Sequence, residues 1–169
     1  MMNSAADPIL DRLYRHMAWA NQSLFEQLKA VPDEALVLTA ENDEWTVAAI
    51  VEHLVKAAVF YVVRVAGGAP PADFKIPSNQ EELLELAQRC EGFDARLREL
   101  AGMPEAMTTY QREGKTIHRA RSTILGQSIH HATEHRAQIA GILSLHGIRA
   151  VDLDAMDLWA YGDAEGLGN

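Results

Sequence analysis

Four stretches of this 169-residue chain repeat apolar residues every three or four positions, and each is closed by proline or glycine. That period is the signature of one buried helix face, and nothing else in the sequence restricts the fold as much. The first stretch runs from Ile9 to about Ala30. Leu10, Leu13, Tyr14, Met17, Leu24 and Leu28 form its stripe, Asn21 is a polar member of it, and Pro32 stops it. The second opens at Thr46, whose hydroxyl suits an N-cap. Trp45 before it is placed to pack on Ile50 as a hydrophobic staple, and Gly67-Gly68 ends the helix near Ala66. In the third, Ser78 and Glu81 read as a capping box; Leu83, Leu86, Cys90, Phe93, Leu97 and Leu100 mark the buried face, and Gly102 and Pro104 close it. The fourth runs from Ser122 to about His146, with Gly147 at its C-terminal end.

Four amphipathic helices of similar length predict an all-α four-helix bundle. Between the second and third, Gly67–Ser78 holds three prolines and two glycines and reads as a long loop. The link from third to fourth is also long, so a simple up-down-up-down order is not forced. It contains Thr108-Thr109-Tyr110 and Thr116-Ile117 on either side of Glu113-Gly114, the pattern of a short β-hairpin before the fourth helix. Asp152–Tyr161 predicts one short terminal helix, and the glycine-rich acidic end beyond it is expected to be loose.

The length suits one domain, residues 1–169, with a sizeable core. The longest uncharged apolar run, Ala57–Val63, is too short to cross a bilayer, and the N-terminus lacks the basic and apolar regions of a signal peptide. Cys90 is the only cysteine, so no internal disulfide can form, which fits a reducing, cytoplasmic setting. A net charge of -9 with no Lys/Arg cluster disfavours nucleic acid as a partner. A small molecule is the expected one.

His131 and His135 stand one helical turn apart in the fourth helix, on one face. His53 lies in the second helix, in Ile50-Val-Glu-His-Leu-Val, on or beside the buried surface. Facing helices of a bundle can bring such residues to one metal ion. Three neutral imidazoles would leave a coordination position open, the catalytic rather than the structural arrangement. Imidazole ligands suit Zn, Ni, Fe and Cu alike, and Mn is a further candidate. The plainer alternative is that these histidines are packing residues.

Gln138 lies seven residues after His131, nearly on its face, and could bond an imidazole or a ligand; it could equally be a boundary glutamine. Asn21 is either a satisfied core amide or a group aimed at the site. Arg136 reads as a surface ion-pair partner. His16 reads as packing, His118 as solvated, His130 as surface, and His146 as favoured by the helix dipole. His131-Ala-Thr-Glu-His135 also matches H-x-x-E-H, an inverted metallopeptidase pattern with Glu134 as general base. The only downstream glutamate able to complete it is Glu165, in the glycine-rich tail. Glu134 is kept as an acid/base candidate.

Tyr14-x4-Trp19-Ala20-Asn21, Trp45-Thr46-Val47 with His53-Leu54, His131-x3-His135-Arg136-x-Gln138-Ile139 up to Leu145-x-Gly147, and Asp152-Leu153-Asp154 with Tyr161 together resemble the DinB/YfiT-like family. The resemblance spans nearly the whole chain in order. Ala137 departs from it, standing where many relatives have glycine, and His130 stands where asparagine is frequent. The resemblance implies an up-down-down-up bundle, one divalent metal on His53, His131 and His135, and a homodimer. It also implies thiol S-transfer with a low-molecular-weight thiol cosubstrate such as bacillithiol or mycothiol, acting on a small electrophile. Metal-dependent hydrolysis and a non-catalytic, metal-stabilised interaction module are the alternatives.

Overall fold

The computed structural model describes residues 7–40 and 45–168. Its helices are α1 (Pro8–Leu28), α2 (Val47–Ala66), α3 (Gln80–Ala101), α4 (Arg121–Leu145) and a short α5 (Leu158–Ala164). A hairpin of β1 (Met107–Arg112) and β2 (Lys115–Ala120) precedes α4. Its turn residues Glu113 and Gly114 both have positive φ, 51° and 73°, the conformation that matches the twist of a two-residue hairpin.

The helix starts show how side chains replace missing backbone partners. Asp7 accepts the amides of Ile9 and Leu10 and so begins α1 at Pro8. Thr46 accepts the amide of Ala49 at 3.1 Å, as its sequence position predicts. The cap of α3 is Asn79, not Ser78: Asn79 takes the Glu82 amide, and the Glu82 carboxylate reaches back to the Ser78 amide and hydroxyl. The reciprocal box thus forms one residue later than expected, because the asparagine carbonyl reaches the third amide from where it stands. Ser122 does not cap α4 either. Strand β2 runs straight into the helix, the Arg121 amide bonds Ala106 across the hairpin, and the Glu105 carboxylate accepts the Ser122 amide.

Helix α1 packs against α3 and α4, and α2 packs against the same two. Leu28 meets Gln80 and Asp11 meets Arg98, so α1 and α3 are antiparallel. Tyr14 meets Leu125 and Asn21 meets Arg136, so α1 and α4 are parallel. His53 faces His135 whereas Tyr61 faces His131, so α2 opposes α4. The order is up-down-down-up. Because α2 and α3 are parallel, their connection must travel back along the bundle, a distance of about 30 Å for helices of this length. This explains the long proline-rich segment.

The core has two apolar clusters. One holds Leu24, Leu28, Ile50, Val51, Leu86, Ile139 and Leu143; the other holds Tyr14, Met17, Ala58, Leu97, Leu100 and Ile124. The tail differs from expectation. A short 3-10 turn at Asp154–Met156 precedes α5, which Asp157 caps. The tail's acidic end is tied down: Glu165 pairs with Arg12 and Arg15 of α1 and accepts the Tyr161 hydroxyl. Among the described residues no helix is long and apolar enough to cross a membrane.

Candidate metal centre

His53 comes from α2, and His131 and His135 come from α4, all half-buried where the two helices face each other. Their Nε2 atoms converge. His131 Nε2 stands 3.1 Å from that of His53 and 3.0 Å from that of His135. A nitrogen can carry only one proton, so a shared Nε2–H on His131 could serve one neighbour but not both. Two ligands at tetrahedral positions around a zinc ion would be about 3.3 Å apart, close to what is found. The group could hold one ion between its three ring nitrogens.

The electrostatics suit the same use. Burial, with His135 and His53 nearby, pushes His131 down to about 4. Burial also lowers His53. Both therefore keep free lone pairs at neutral pH. His135 Nδ1 lies 3.0 Å from Gln138 Oε1. An amide oxygen only accepts, so Nδ1 carries the proton and Nε2 keeps the lone pair facing the centre.

Aromatic rings flank the imidazoles. Trp45 meets His53 edge-on at 4.7 Å and stacks on His135 at 5.9 Å; Tyr61 meets His131 edge-on at 5.7 Å. The sequence had placed Trp45 as a staple on Ile50. Ile50 is wholly buried in the core, and the indole, 40% exposed, lies against the histidines.

The remaining candidates separate. Asn21 is a core amide: its Nδ2 donates to Asp94 Oδ2 at 2.8 Å, and its Oδ1 accepts Arg136 at 2.6 Å. Arg136 is not a surface ion-pair residue. It is 4% exposed, because the face of α4 next to His135 packs on α1 rather than on water. Its second nitrogen donates to Thr133. Glu134 is exposed and lies outside the converging group. With Glu165 engaged by α1, nothing completes the metallopeptidase pattern among the described residues. His16 is buried on the carbonyl of Met156, His146 reaches the carbonyl of Thr39, and His118 and His130 are exposed.

Sequence reasoning missed Asp94 and Tyr61. Asp94 follows Cys90 by four and precedes Leu97 by three, so a carboxylate on the buried stripe was visible in the spacing. Burial raises it to about 6, against the lowering pull of Asn21, Cys90 and Arg136. Tyr61 sits two turns after His53 on the same helix face.

The chain matches the DinB family over residues 1–163. No curated protein matches it.

Proposed function

The chain belongs to the DinB family, and on that premise we propose that it is a metal-dependent thiol S-transferase acting on small electrophiles. His53, His131 and His135 would hold one divalent ion. The observation that carries this reading is the convergence of three Nε2 atoms that no set of protons can satisfy together. When bound, the ion supplies a Lewis acid that lowers the pKa of a thiol at its remaining position. S-transfer then joins the thiol sulfur to an electrophilic carbon; the thiol proton goes to solvent and the leaving group departs with its bonding pair.

The protein's own part is positioning. Gln138 fixes the ring and tautomer of His135. Trp45 and Tyr61 give the centre apolar flanks, suited to the hydrocarbon part of a small substrate and to excluding water. The thiol would be a low-molecular-weight one. Within this reading the protein is a cytoplasmic homodimer.

The test is elemental analysis of protein purified without chelator or affinity tag, beside a His53→Ala/His131→Ala double variant. Near one ion per chain is expected, falling to background in the variant, because one imidazole cannot retain the ion. Metal-loaded protein should then conjugate thiols to electrophiles. Ester or amide cleavage without any thiol would point instead to hydrolysis. Absence of metal even after soaking with zinc or nickel would overturn the reading.

A further inference from the structure

Among the buried polar atoms without a partner is Asp94 Oδ1, and the cavity that Asp94 lines is lined by His131 too. His131 turns Nε2 toward His53 and His135, so its Nδ1 points away from the centre. Among the described residues nothing bonds that Nδ1. On α3, Asp94 is 1% exposed. Its Oδ2 accepts from Asn21 and from the Cys90 thiol, but its Oδ1 is buried with no partner. A buried carboxylate oxygen left bare is costly, which makes an unseen donor the natural explanation.

His131 and Asp94 line the same cavity of about 10 Å³, together with Asn21, Tyr61 and Ser128. That is room for one water, and the polar walls offer the several partners a buried water needs. Metal-binding imidazoles nearly always donate their second N–H to a carboxylate, a carbonyl or a water. Gln138 does this for His135; among the described residues no protein group does it for His131.

We propose that one ordered water fills this cavity, accepting the Nδ1–H of His131 and donating to Asp94 Oδ1. Asp94 is then a positioning residue for His131, acting through water. The water fixes the Nδ1–H tautomer, which leaves the Nε2 lone pair aimed at the centre. Arg136, linked through Asn21, supplies the buried cation that keeps Asp94 an acceptor. This role rests on the three-histidine reading above, but the water itself does not need a bound ion.

The experiment begins with the metal-free full chain. A high-resolution crystal structure should show one water within hydrogen-bond distance of Asp94 Oδ1 and His131 Nδ1. Nitrogen-15 NMR should show His131 protonated at Nδ1. Ala58→Val adds carbon to the cavity wall and leaves the Asp94 and Arg136 side chains unchanged. Zinc affinity, measured against a chromophoric chelator, should then fall about 10–100-fold while the metal-free protein stays folded. An empty cavity in the crystal, or His131 protonated at Nε2, overturns the proposal, as does a folded Ala58→Val protein that binds zinc as tightly as the parent. If the parent binds no metal, the proposed function fails; the water and the tautomer still decide this inference.

Discussion

Two polar clusters share α4, and they begin at adjacent residues: His135 belongs to one and Arg136 to the other. In the Arg136–Asn21–Asp94 cluster unlike groups meet. A guanidinium donates to an amide oxygen, and the amide nitrogen donates to a carboxylate, so a buried cation and a buried anion are linked through one side chain. In the His53–His131–His135 cluster like groups meet, nitrogen against nitrogen. The first cluster supplies its own counter-charge and contributes to the fold. The second is left with lone pairs that only something from outside can use. Burial alone does not mark a functional site; the mismatch of donors and acceptors does.

The contrast predicts different responses to substitution. Arg136→Ala should be the most damaging, destabilising the metal-free protein by about 3–5 kcal/mol, since it leaves Asp94 buried without its cation. Urea unfolding measures this, and a loss below 1 kcal/mol would mean the network is not the structural member of the pair.

Asp94→Asn acts through pH. The native carboxyl is raised to about 6 from an ordinary 3.8, so the folded state holds that proton more tightly. Its contribution is fully present below the unfolded pKa and is lost as pH rises through about 6. Asparagine does not titrate, so the stability of the variant relative to the parent should rise by up to about 3 kcal/mol between pH 4 and pH 7. His131 works the other way in the same window, its contribution present above 6.5 and lost as pH falls toward about 4. It titrates in both proteins, so most of its contribution cancels in the difference between their unfolding curves. A flat difference would show that Asp94 is not perturbed.

Gln138→Ala tests the other cluster. It should leave the melting temperature nearly unchanged and weaken zinc binding about tenfold, by freeing the His135 ring. Chelator competition reads it directly. Glu134→Gln should change neither zinc affinity nor stability beyond about twofold or 0.5 kcal/mol, as an exposed substitution. A large loss of activity there would revive the carboxylate as a proton carrier.

Much of the fold could be read before any coordinates. The 3-4 spacing located all four long helices, Glu113-Gly114 located the hairpin turn, and Thr46 located the start of α2. The cap of α3 was not legible because several residues near its start could serve and reach decides among them; α4 has no side-chain cap, because strand β2 runs straight into it. For the site, the i,i+4 pair and the upstream histidine stood out because helical period puts a residue on a face. Arg136 was misread because that period does not say whether the face meets water or another helix. Asp94 was overlooked although it lies on the stripe of α3.

What the sequence determined by itself was local: which segments are helical, which side of each is apolar, and that His131 and His135 must project together. These follow from backbone period and capping chemistry, which act within a few residues. The tertiary structure alone decided what crosses between helices. It set His53 against the α4 pair, buried Arg136 on Asn21, and left Asp94 beside a water-sized space behind His131. Those outcomes depend on the order in which the four helices pack, and no short stretch of sequence carries that order.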